Sequence, residues 1–395
     1  MNIVILNRWN DEFSCYSNYI DHTVHSVVYI STADNVVNLV NSGAKKIVLV
    51  DDVTEFSGLV EALEQAVDTL GRVDRLVALS EFDLINAAKL RAHFNIQGDL
   101  PEQVARFRDK VVMKKTVLAA GLNAPVYSEL HDYPQAIAFA EQNGFPLIIK
   151  PRNGAASVGV LKIDSFDALE NARDAMTFVD TQIEQYIEGV IYHIDGITDN
   201  TGVAFSKASQ YVNTCFEFSQ GKPLGSYVLP DDLFSQRLRK FAEDCLLALG
   251  IYNSAFHLEV ICNNDRFYFL EVGARVGGGE IPFTMVEVYE VDLYKEWIDL
   301  QLNGGRSALR DRQPESVSSG FVLFPEPVGK KLINIDQDFN STAVYASIFP
   351  AQGHFFDGQG GYDTILARFR FRASSAELVE DAVRTTINTF TYEVA

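Results

Sequence analysis

Apolar residues come in short continuous runs near the start of the chain. "NIVILN" (2–7), "KKIVLVDD" (45–52) and "DRLVALSE" (74–81) each have strand length and end in polar residues. Between the last two, Leu59, Leu63, Val67 and Leu70 repeat at helical spacing, and residues 81–98 continue as a helix. Buried strands alternating with amphipathic helices predict a parallel sheet, so residues 1–105 read as a small α/β domain. A helix is expected over 101–127, stopped at Gly121 and Pro125, and further helices over 133–146 and 165–176. From residue 181 the chain is strand-rich. Residues 254–275 read as a hairpin turning at Asn263, Asn264 and Asp265, with helices over 235–250, from about Ile281, and near the C-terminus.

Composition narrows the function classes. The 395 residues are 47% hydrophobic, with a net charge of -20 and four scattered cysteines. Such a field repels nucleic acid and anionic membranes, so neither is an expected partner. No apolar run reaches 18 residues, and the basic n-region of a signal peptide is missing. A reducing cytoplasm with free thiols is expected, and no zinc-binding spacing occurs. The first strand is not followed by G-x-G-x-x-G, so dinucleotide binding has no support.

Four segments carry candidate chemistry. "PLIIKPRNGAASVGVLKI" places Lys150 at a strand end before Gly154, Ala155, Ala156, Ser157 and Gly159. Val160 and Leu161 stand where a P-loop needs Lys and Ser/Thr. The segment reads as a plain hairpin turn or as a flap whose N–H groups hold phosphate. Glu259 and Glu271 lie on the two arms of the 254–275 hairpin. Two facing carboxylates repel unless protonated or bridged by a cation, and Mg²⁺ takes oxygen ligands shared with phosphates. The alternative is a Glu271–Arg275 ion pair with Glu259 on the solvent face. Lys110 starts a helix and reads alone as solvated. Glu184, Gln185, Tyr186 and Ile187 precede a breaker, as an edge strand or as a linker offering backbone groups to a purine.

Taken in order, "RDKVVMKKTVLAAGLNAP", the Lys150 loop, "IEQYIEGVIYHIDG" and "FHLEVICNNDRFYFLEVGARVGGG" resemble the ATP-grasp superfamily. The resemblance implies an α/β and α+β ATP-grasp fold. Its parts would be a Rossmann-like N-terminal domain (1–105), a small lid lobe (106–188) and a larger C-terminal lobe (189–395). It implies that Lys110 and Lys150 contact ATP phosphates and that Gly154, Ala155, Ala156 and Ser157 form a lid over them. Glu184 to Ile187 would hold adenine, Glu259 and Glu271 one or two Mg²⁺ ions (Mn²⁺ as a substitute), and Arg275 the transferred phosphate. Two positions depart from the pattern. Gly273 replaces a metal-binding asparagine, and Ile191 stands where a ribose-binding glutamate is common.

Within the superfamily, the stretches "VIYHIDG" and "EVGARVGGGEIP" look most like ligases that join two amino acids. That resemblance implies an amino acid carboxylate activated as an acyl phosphate, a second amine attacking it, and ADP and phosphate released. Amino acids or peptides would be the small-molecule partners, and a homodimer is compatible with it. On the substrate side, Gly278 and Gly279 precede a helix whose N-terminus suits a carboxylate. His193 and Asp195 are candidate substrate contacts, His193 alternatively being a packed strand histidine. Trp297 reads as core, and His257 as buried on the strand face opposite Glu259. The rivals are a bicarbonate-using carboxylase and a non-catalytic ATP-binding protein.

Overall fold

The computed structural model describes residues 1–155, 157–312, 315–335, 342–358 and 365–395. Strands Asn2–Leu6, Ser26–Ser31, Lys46–Leu49 and Arg75–Ala78 form a parallel sheet, with the first strand between the second and the last. Ser26–Ser31 is absent from the pattern read above, although "SVVYIS" is as apolar as its neighbours. It follows the first strand through two short 3₁₀ turns, without the intervening helix that marks a β-α-β unit.

Alternate residues of this sheet serve two cores. Val4, Leu6, Val28 and Ile30 pack beneath helices Phe56–Leu70 and Leu84–Phe94. Ile3, Ile5, Val27 and Tyr29 pack with Met285, Val288, Trp297 and Ile298 of helices Ile281–Tyr289 and Leu293–Asn303. Burial of both faces explains why these strands read as continuous apolar runs. Trp297 is core, as its spacing implies.

The helix expected over 101–127 divides in two, Pro101–Ala105 and Lys110–Ala119. Asp109 restarts it by accepting from the N–H groups of Val111 and Val112, as an N-cap does. A small antiparallel sheet follows, in the order Tyr127–Leu130, Thr181–Gln185, Leu147–Pro151, Leu161–Ile163. Helices Tyr133–Asn143 and Phe166–Asn171 pack on it. The third unit is an eight-stranded sheet with Arg266–Gly273 at one edge, then Ser254–Asn263, Val190–Asp199 and Gly202–Val212. Helices Lys110–Ala119 and Leu233–Leu249 cover the face carrying Ile194, Leu258, Val260 and Val272. The opposite face, near the small sheet, carries the candidate site. None of the helices formed by the described residues is long and apolar enough to cross a membrane.

Candidate active site

A cavity of about 910 Å³ lies between the end of strand Leu147–Pro151 and the Glu259 face of the large sheet. Lys110, Lys150, Gly154, Ala155, Ser157, Glu184 to Ile187, Glu259 and Glu271 all line it. Ala156 lies outside the described residues. The cavity falls in the upper part of the usual range for small-molecule sites.

The two glutamates meet through register. Glu259 and Glu271 are direct partners across the hairpin, with the turn at Asn264 and Asp265 in left-handed backbone. A bulge between Glu259 and Val260 changes the alternation: Glu271 stays opposite Glu259, while Phe269 pairs with Val260 and enters the core. Glu271 pairs with Lys110 at 3.1 Å and not with Arg275. Burial alone would push its carboxyl up, but Lys110 and Lys150 hold it down to about 2. Glu259 accepts from the Tyr211 hydroxyl at 3.1 Å. The Glu271–Arg275 ion pair is therefore not formed, and both carboxylates face the cavity.

Behind the end of the cavity lined by Lys110 and Lys150 sits a charged cluster that the sequence reading only half identified. The Glu184 carboxylate lies between Lys150 and Lys114, each 2.8 Å away. Lys114, one helical turn after Lys110, is fully buried. Burial pulls its ammonium down to about 8, against the attraction of Glu184. Lys150 is also buried, but Glu184, Glu271 and Glu259 together outweigh that and raise it above the ordinary lysine value. Glu184 thus holds lysines with its side chain. The backbone N–H groups of Gln185 and Tyr186 bond to the carbonyls of Val126 and Pro146, so these two are not free for a purine edge.

The glycine loop joins the antiparallel strands Leu147–Pro151 and Leu161–Ile163, so it is a hairpin connection. Its first residues are stapled to the Lys110 helix. Lys110 Nζ donates to the Gly154 carbonyl at 2.5 Å, and Arg152 reaches Asp109 at 2.5 Å. Arg108 donates to the Asn153 carbonyl at 2.7 Å and pairs with Glu81. Glu81, at the end of the parallel sheet, also takes Arg275 Nε at 2.9 Å. Burial would raise Glu81, but Arg275 and Arg108 hold it below the usual carboxylate range. One buried carboxylate therefore connects the N-terminal sheet, the loop and Arg275. Sequence reasoning missed Glu81, Arg108 and Lys114, whose partners lie 27 to 194 residues away. It also missed Thr214, Phe216, Glu217 and Gln220, which line the cavity from the far side.

His193 and Asp195 do not line that cavity. Asp195 is fully enclosed and His193 nearly so. They bond to each other at 2.5 Å, and His193 meets Ser226 at 2.7 Å. His257, two residues before Glu259 in one strand, shares its face: Nε2 lies 3.5 Å from Glu259 Oε1, and Nδ1 lies 2.8 Å from Asp195. This corrects its expected placement on the opposite face. Burial would lower His257, but Asp195 raises it to about 9, and Asp195 is held well below the usual range. Gly278 and Gly279 precede helix Ile281–Tyr289, which no side chain caps.

The ATP-grasp domain family matches residues 143–282 of this chain. The L-arginine-specific L-amino acid ligase of Bacillus subtilis is 23% identical over 273 residues, spanning 66% of this chain and 65% of that protein. An L-amino acid ligase from Bacillus licheniformis superposes with a TM-score of 0.78 at 18% identity, covering 99% of this chain and 98% of the other. A biotin carboxylase from Campylobacter jejuni does so with 0.67 at 17% identity, covering 100% and 92%. The chain has the ATP-grasp fold.

Proposed function

We propose, from the premise that this chain has the ATP-grasp fold, that it is an ATP-dependent carboxylate–amine ligase. The reading is that it activates an amino acid carboxylate as an acyl phosphate, joins it to the amine of a second amino acid, and releases ADP and phosphate. The observation that carries it is the meeting of Lys110, Lys150, Glu259 and Glu271 around one cavity. The named activities of the similar ligases support the same class.

The donor set suits a hard cation: two carboxylates paired across a hairpin, on one sheet face, beside two lysines. Glu259 and Glu271 would hold Mg²⁺, which supplies charge neutralisation on the phosphates when bound. Lys110 and Lys150 reach the same end of the cavity and hold phosphate oxygens. The substrate carboxylate oxygen attacks the γ-phosphorus, and the bond to the ADP oxygen breaks. Arg275, which pairs with Glu81 and the Val276 carbonyl and is not among the residues lining the cavity, would have to reach in to stabilise the oxygens of the group in flight. The neutral amine then attacks the carbonyl carbon, phosphate leaves with the bonding pair, and the nitrogen gives up its surplus proton to the departing phosphate. The connection carrying Gly154, Ala155 and Ser157 closes over the intermediate and keeps water out. Positioning and electrostatics carry this chemistry, and no enzyme nucleophile is needed.

Hydroxylamine trapping tests the class. With one amino acid, Mg-ATP and enzyme, an aminoacyl hydroxamate should form together with ADP. AMP and pyrophosphate would sink the mechanism, since they mean an adenylate. ADP formation dependent on bicarbonate would favour the carboxylase reading, which the biotin carboxylase likeness keeps in play. No nucleotide turnover with any amino acid pair would leave a binding protein.

A further inference from the structure

The geometry points to His257 as a positioning residue for Glu259, held from behind by Asp195 and His193; this rests on the reading of Glu259 as a metal ligand. Glu259 Oε1 faces two groups, the Tyr211 hydroxyl at 3.1 Å and His257 Nε2 at 3.5 Å. The Tyr211 hydrogen bond and the longer His257 contact both hold Oε1, which leaves the other oxygen to meet a metal ion. His257 is fixed in turn. Its Nδ1 lies 2.8 Å from Asp195 Oδ1, and Asp195 Oδ2 lies 2.5 Å from His193 Nδ1. His193 ends the row on Ser226 at 2.7 Å. The row starts on strand Ser254–Asn263, passes to its neighbour Val190–Asp199 and reaches across Gly202–Val212 to Ser226 on strand Leu224–Val228, so the sheet itself sets its spacing.

His193, Asp195 and His257 also bring three ligating atoms close enough to suggest an ion site. The distances argue otherwise. Contacts of 2.5 and 2.8 Å between carboxylate oxygen and ring nitrogen are hydrogen-bond lengths. The cluster is bonded to itself. The loop above it confirms the fit: a Cβ built at Gly277 would fall 2.3 Å from Asp195 Oδ1 and 3.1 Å from His257 Nδ1. Backbone alone can lie there, and it seals the row beneath the glycine-rich segment that precedes helix Ile281–Tyr289.

Groups behind a ligand that orient it typically change metal affinity by about 10–100-fold when removed. The test measures Mn²⁺ binding by electron paramagnetic resonance, with a non-hydrolysable ATP analogue present, and analogue binding without metal alongside it. His257→Asn keeps a group at the Nδ1 position and loses the one at Nε2. It should weaken Mn²⁺ binding by about 10-fold or more and leave metal-free analogue binding unchanged. His257→Gln, which restores a donor near Nε2, should recover part of the loss. If His257→Asn does not fold, Asp195→Asn serves instead, with the same expected weakening. Glu259→Gln separates the two readings. Wild-type Mn²⁺ affinity in Glu259→Gln overturns the ligand assignment itself. Weakening in Glu259→Gln, with wild-type affinity in a folded His257→Asn or Asp195→Asn, overturns the positioning role alone.

Discussion

Glu184→Gln removes a charge and almost no volume. The carboxylate lies 2.8 Å from both Lys114 and Lys150, with 3% of its side chain exposed against 0% and 6% for the lysines. The substitution leaves two ammonium groups enclosed with one carboxylate fewer. Breaking a buried pair on one side costs about 3–5 kcal/mol, because the remaining charge loses its partner without regaining water. For a chain of this size that is a fall in melting temperature of about 4–6 °C. The pH dependence gives a second reading. Burial would raise the Glu184 carboxyl, but Lys114 and Lys150 hold it below its ordinary value of 4.5. Its contribution is therefore present above about pH 4.5 and lost as pH falls through the lower folded value. Thermal melts of wild type and variant should differ strongly at pH 7 and converge in acid. Hydrogen exchange should place the loss in strand Thr181–Gln185 and its neighbours. A difference below about 1 kcal/mol at pH 7 would refute the claim that this carboxylate holds the two lysines.

Three further outcomes are expected. Glu271→Gln should fold normally and lose nearly all turnover in a phosphate-release assay with saturating Mg-ATP; wild-type turnover would remove Glu271 from the metal site. Lys114, held by burial at about 8, favours the unfolded state's extra proton between that value and 10.5. Its contribution to stability should therefore rise with pH across that window, and Lys114→Met should abolish that component of the melting profile. Amide exchange at Gly154, Ala155 and Ser157 should slow when a non-hydrolysable ATP analogue is added; equal rates in both states would make the connection an ordinary turn.

The local pattern was enough for elements whose signals are short-range. Apolar runs marked three of the four parallel strands, and Asn263 to Asp265 marked the hairpin turn. Lys110, Lys150, Glu259 and Glu271 were grouped by the resemblance of their segments, taken in order, to the ATP-grasp superfamily; read one at a time, each had an ordinary structural explanation. What periodicity cannot show is a break in its own count. Plain alternation puts Phe269 and Glu271 on one face, and only the bulge sends one to the core and the other to the cavity. Glu81, Arg108 and Lys114 look like ordinary surface charges until the chain folds. They become a site through partners far away in sequence, where burial makes each unpaired charge costly and fixes the pairing. His193 and Asp195 were legible as polar residues in an apolar strand. Which way they serve was decided by other strands of the sheet, because register across it, and no feature of their own segment, brought His257 and Ser226 within hydrogen-bonding reach.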